Sequence, residues 1–170
     1  MPRPSATEYG SFHQTYINYT SGKDYSILVQ QYHERITESW AAIPVEKVNY
    51  AYGPDKWTIK QMFQHVIDTE RIFAYRALAI SRKEPAGLLG FDENEYAKNA
   101  TASHRNWKDM LTEWRVVRQS TNLLFGSFTE EQLRCMGTAS GLPISVNALG
   151  FIIFGHALHH LHILKERYDV

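Results

Sequence analysis

Cysteine is almost missing from this chain. Cys135 stands alone among 170 residues, which excludes an internal disulfide and with it a disulfide-stapled secreted scaffold. A reducing, cytoplasmic setting is the expectation, with Cys135 read as a small buried apolar residue because nothing near it in sequence would lower its pKa. An excess of either charge is also lacking. Eighteen Lys and Arg offset eighteen Asp and Glu, so no global field draws the protein to phosphate backbones or to anionic lipid. The charges are interspersed with no basic stripe, and nucleic acid and membrane are both excluded as expected partners. The longest apolar run, residues 148–158, contains Gly150, Gly155 and His156 and is only about half of the roughly 20 residues a membrane span needs.

Other signatures are absent too. The first twenty residues, MPRPSATEYGSFHQTYINYT, hold no apolar h-region and read as an extended N-terminal arm over residues 1–24 rather than a secretory signal. There is no internal repeat, low-complexity tract or linker, so residues 25–170 form a single expected domain. No CxxC, HExxH, phosphate-cradling glycine loop or nucleophile elbow occurs.

Four segments with the three-to-four-residue apolar spacing of amphipathic helices are what the chain does contain, and none of comparable length alternates as a strand would. The expected fold is therefore all-α, a four-helix bundle. The first helix covers residues 25–40 and is closed by Pro44. The second begins at Thr58, where Thr58 and Gln61 form a capping box with Trp57 and Met62 as its hydrophobic staple, and runs to Ser81. Residues 85–99 read as a long connection with glycine and proline first and acids later, able to cover a site. A third helix spans residues 103–125, with Trp107, Leu111, Trp114, Val117, Thr121 and Leu124 on one side. Thr129 and Gln132 then repeat the capping box, residues 137–145 suggest a tight turn or small hairpin, and Ser145 caps a last helix over residues 146–168.

The chemistry lies on the last helix. Its inward stripe reads Leu149, Ile153, His156, His160, Ile163 and Leu164. His156 and His160, four residues apart, project from one face about 6 Å from each other, a separation from which two imidazoles chelate one cation. A pair of hydrogen-bonded core histidines has the same spacing, and the pattern alone leaves both readings open. His65 lies beside the apolar stripe of the second helix, flanked by Met62, Thr69 and Ile72, where a facing helix could aim it at the pair. Three neutral imidazoles are a ligand set that leaves positions for water or substrate. His159 and His162 fall on neighbouring stripes and read as exposed or supporting residues. Asp68, one turn after His65, is the one candidate base beside an open position, and Glu70 reads as a partner for Arg71 or Arg76. On the residues alone, a metalloenzyme acting on a small molecule and a non-catalytic metal or small-ligand binding stress protein both remain.

Three motifs carry a family resemblance. KWTIKQMFQHVIDTE over residues 56–70, GFDENEYA over residues 90–97 and GHALHHLHIL over residues 155–164 resemble, in order and spacing, the second-helix, acidic-loop and last-helix motifs of the DinB-like family, which includes a YfiT-like thiol-transferase group. The resemblance covers residues 25–168. It implies an up-down-down-up bundle, often a homodimer, with the crossover loop near the metal. It also implies that His65, His156 and His160 are the ligands of a divalent metal, zinc or nickel. The activity it implies is that of a thiol-dependent S-transferase, using a low-molecular-weight thiol such as bacillithiol or mycothiol, or of a hydrolase. The damage-inducible label of that family describes expression and implies no contact with DNA.

Overall fold

Every α-helix but the short first one starts where a side chain satisfies its orphan backbone donors. A computed structural model describes residues 2–170. A short helix, α1 (Gln14–Asn18), precedes the first bundle helix, α2 (Tyr25–Ala41), in which Asp24 accepts from Ile27 N–H. The next helix, α3 (Ile59–Ser81), opens on the expected capping box: Thr58 N–H donates to Gln61 Oε1 at 2.9 Å, and Gln61 N–H donates to Thr58 Oγ1 at 3.1 Å. Half of the long connection is itself helical, α4 (Glu93–Asn99), because Asp92 accepts from two backbone N–H groups at its start. The third bundle helix, α5 (Trp107–Gly126), begins four residues later than its periodicity predicts. Asn106 supplies the cap there, and Ala102–His104 is left as a separate 3-10 turn. A five-residue helix, α6 (Glu130–Arg134), carries the second capping box, and Ser145 caps the last helix, α7 (Val146–Arg167).

The four long helices α2, α3, α5 and α7 run up, down, down and up, with α3 and α2 each packed between α5 and α7. Burying α2 along Leu28, Tyr32, Ile36 and Trp40 stacks Trp40 on Phe63 of α3, with ring centres 4.4 Å apart. Between α6 and α7 lies the small hairpin, β1 (Met136–Ala139) paired antiparallel with β2 (Leu142–Ser145). Ser140 and Gly141 turn it with φ of 52° and 76°, the left-handed pair that a type I′ hairpin turn requires. Leu88 of the long connection pairs with the hairpin, accepting from Ser140 N–H at 2.9 Å. No helix among the described residues is long and apolar enough to cross a membrane.

Residues 2–24 differ from the extended arm expected of them. They coil into 3-10 turns at Ala6–Glu8 and Ser11–His13 and then into α1, which lies along α7. Asn147 Nδ2 donates to Pro2 O at 3.0 Å, and Ser145 Oγ donates to Glu8 Oε2 at 2.9 Å. Gly155 makes the close approach possible, since a Cβ there would stand 1.9 Å from the carbonyl oxygen of Tyr16. Alanine normally stabilises a helix interior by about 1 kcal/mol over glycine. Here Gly155→Ala is expected to destabilise by about 1–3 kcal/mol instead, because it is backbone that must yield. Thermal melts with limited proteolysis check this: the Gly155→Ala protein should melt lower and be cut first between residues 2 and 24. A higher melting temperature would show that α1 does not dock as described.

Candidate metal centre

Because α3 packs on α7, a histidine in the second turn of α3 faces the paired histidines near the middle of α7. His65 Nε2 lies 3.0 Å from His156 Nε2, and His160 Nε2 lies 3.1 Å from that same atom. One ring nitrogen of each residue falls within 4.8 Å of the others. Nitrogens around a tetrahedral zinc with bonds of about 2.0–2.1 Å stand about 3.3 Å apart, so the spacing fits a shared cation. Hydrogen bonding alone satisfies the trio less well. His156 Nε2 must serve two neighbours from one atom, and His160 Nδ1 is buried with no partner among the described residues.

The electrostatics agree with a ligand set. Burial first, and neighbouring imidazoles second, push His156 and His160 well below the ordinary histidine value. His65 is pushed down to about 4, by burial and then by His159. Neutral imidazole is the form that ligates, so at neutral pH no proton has to leave before a cation binds.

Above the trio is a cavity of about 290 Å³. The N-terminal segment supplies one wall through Phe12, His13 and Tyr16, and Trp57, Thr69 and Phe73 supply another. Trp57 stands with its ring centre 4.9 Å from that of His65, and Tyr16 stands 5.4 Å from His156. The long connection contributes Phe91 and Glu93, and the hairpin contributes Ser140 and Leu142. The loop expected near the site does border it.

The other sequence candidates are placed differently. Asp68 does not reach the histidines: three residues along a helix turn a side chain about 60° away from its predecessor's face. Its carboxylate accepts from Gln64 Nε2 at 2.9 Å, lies 3.9 Å from Arg71 and borders a separate recess with Glu95, Tyr96 and Asn99. Burial raises its pKa against the pull of Gln64 and Arg71. Glu70 pairs with neither Arg71 nor Arg76 but with Arg118 of α5. His159 borders the cavity between the rings of Tyr16 and Tyr19, whereas His162 is exposed and bonds Glu166 at 3.0 Å. Cys135 is half-buried rather than buried, with Sγ 3.5 Å from Glu131 O.

Among the cavity residues that sequence reasoning did not place at the site are His13, Tyr16 and Arg76, the last read only as an ion-pair partner for Glu70. A signal existed for Arg76: His65, Thr69, Ile72 and Arg76 follow one another at intervals of four, three and four, along one helix face. None existed for His13 and Tyr16, whose segment has no periodicity of its own.

The sequence matches the profile of the DinB superfamily over residues 28–164. This chain belongs to the DinB superfamily. Among DinB-like folds of known structure, it is similar to YfiT from Bacillus subtilis, with 15% identity, a TM-score of 0.68 and coverage of 98% of this chain and 93% of that one. YfiT is described as a probable metal-dependent hydrolase with an unusual four-helix bundle topology. At that identity the likeness establishes the DinB-like bundle and nothing of its chemistry. No curated protein matches this DinB chain closely enough to be counted a relative.

Proposed function

We propose that this protein is a metal-dependent enzyme that holds one divalent cation, zinc or nickel, on His65, His156 and His160. The observation that carries this reading is the convergence of three neutral imidazoles, two buried and one half-buried, beneath a cavity open to small molecules. A cation bound by three neutral ligands lowers the pKa of a water or thiol on its open face toward neutrality. The chain's part is to hold the three nitrogens in place, to surround the reacting group with Tyr16, Trp57 and Phe73, and to limit access of bulk water. The reaction class is S-transfer from a low-molecular-weight thiol or hydrolysis of a small molecule, and what YfiT is described as supports the second as much as the family resemblance supports the first.

The test compares the protein freed of metal with the same protein reloaded with one equivalent of zinc or nickel. Two rates are measured at neutral pH: conjugation of cysteine or bacillithiol to a fluorogenic alkyl chloride, and hydrolysis of a nitrophenyl ester. A metal-dependent rate at least about 100-fold above the metal-free protein is expected in one assay, as a lowered nucleophile pKa would supply. Equal rates with and without bound metal in both assays would remove the enzymatic reading and leave a metal-binding protein.

A further inference from the structure

Arg76 is a cation without a counter-ion. Its residue is only 4% exposed, yet none of its N–H groups meets a carboxylate within 4.0 Å among the described residues. Two neutral acceptors hold it: Nη2 donates to Leu89 O at 2.8 Å and to Ser140 Oγ at 2.9 Å. The plane leans on Phe73, with Cζ 5.6 Å from the ring centre. These contacts use one nitrogen of a guanidinium that has five N–H donors. Burying a charge without an opposite partner is expensive, and Arg118 elsewhere in this protein has Glu70 beside it.

The side chain borders the same cavity as the three histidines, on its hairpin side. Its positive charge is felt there, since it adds to the burial that depresses the His13 pKa against a raising hydrogen bond with Gly10. Among the described residues, the one carboxylate bordering the cavity is that of Glu93, which is exposed. The rest of the wall is largely aromatic, from Phe12, Tyr16, Trp57 and Phe91.

We propose that Arg76 is the anion-recognising residue of this cavity and that its natural ligand is a small organic carboxylate with an apolar body. The guanidinium fork matches the two oxygens of a carboxylate, and the aromatic walls take the body. Arg76 lies eleven residues along α3 from His65, three turns or about 16 Å of rise. A ligand anchored there lays its apolar body along the aromatic wall, on the side of the cavity that leads toward the histidines. The inference deepens the enzymatic reading above by naming a substrate class, but its binding step does not need the metal.

The test therefore uses both metal-free and zinc-loaded protein, with phenylacetate and its uncharged isostere phenylacetamide as probes titrated by NMR. Wild type should bind phenylacetate about 10-fold or more tightly than phenylacetamide, as expected of hydrogen bonds to charged groups. Arg76→Gln should abolish that preference while leaving phenylacetamide affinity unchanged, and Arg76→Lys should keep part of it. Ser140→Ala removes one tether and retains the charge, so it should preserve the preference. A merely structural Arg76 would lower affinity for both probes alike. The proposal is overturned if wild type does not discriminate between the probes, or if Arg76→Gln still prefers the carboxylate. A preference seen only with zinc and unchanged in Arg76→Gln would assign the anion to the metal, overturning the role of Arg76 while leaving the metal reading intact. Should Arg76→Gln fail to fold, Arg76→Lys with a weakened preference, set beside an unaffected Ser140→Ala, decides in favour; an undiminished preference in Arg76→Lys decides against.

Discussion

His156→Ala is expected to leave the protein essentially metal-free after dialysis, with affinity reduced by more than the 10–100-fold that loss of an outer-shell partner typically costs. The reason is its central place: its Nε2 is the atom within 3.0 Å of His65 Nε2 and 3.1 Å of His160 Nε2. Removing it leaves a two-nitrogen remnant in an apolar surround. His65→Ala and His160→Ala should follow closely, because each leaves one neighbour pair. His162→Ala should keep its metal, since that ring is exposed and engaged with Glu166. His159→Ala should lose little, its ring being held between Tyr16 and Tyr19 rather than aimed at the trio. Metal per chain at about pH 7.5 is the measurement. Thermal stabilisation by added metal accompanies it, worth about 2.7 kcal/mol at a free concentration 100 times Kd in wild type and absent from the three ligand variants. Full metal retention by His156→Ala, with loss in His162→Ala, would sink the ligand assignment.

How far this site could be read before any coordinates differs from residue to residue. His156 and His160 were legible because helical periodicity converts a spacing of four into a shared face, and the apolar residues of that stripe show which face is inward. His65 was legible only as a residue that a neighbouring helix could aim; periodicity says nothing about which helices meet. The caps at Thr58, Thr129 and Ser145 were legible because capping is local chemistry. Local chemistry also explains the late start of α5, where Asn106 outcompeted the apolar pattern that suggested residue 103. The coiled N-terminal segment was not legible. Its fold depends on Gly155 and Asn147, more than a hundred residues away, and short helical turns draw their stability from such packing rather than from propensity. Asp68 shows the converse limit: proximity in sequence to His65 does not bring a side chain to the face His65 occupies.

Arg118 is fully buried, although helical periodicity gives no reason to place a charged residue inward. Arg118→Met is expected to destabilise the protein by about 3–5 kcal/mol, because it strands the Glu70 carboxylate in the core. Nη1 of Arg118 donates to Glu70 Oε2 at 3.1 Å, Nη2 donates to Tyr25 OH at 3.2 Å, and the guanidinium sits 4.3 Å from the Phe154 ring centre. Tyr25 OH donates onward to Asn122 Oδ1 at 3.0 Å, so one cation ties α2, α3, α5 and α7 together. Burial raises the Glu70 pKa, and Arg118 is the strongest pull against it, ahead of Thr121 and Arg71. The pair is also imperfectly satisfied, as Glu70 Oε1 and Arg118 Nε are buried without hydrogen-bond partners among the described residues. The two facts predict opposite outcomes for single and double replacement. Either single variant, Arg118→Met or Glu70→Leu, should lower the melting temperature by roughly 10 °C or more, at about 2–4 °C per kcal/mol for a chain of this size. The double variant should recover most of that loss, because apolar residues of similar volume avoid desolvating two charges. A thermal-melt double-mutant cycle measures the difference. A single variant within about 1 kcal/mol of wild type, or a double variant as unstable as the two singles summed, would show that this buried pair does not hold the bundle in the way its geometry implies.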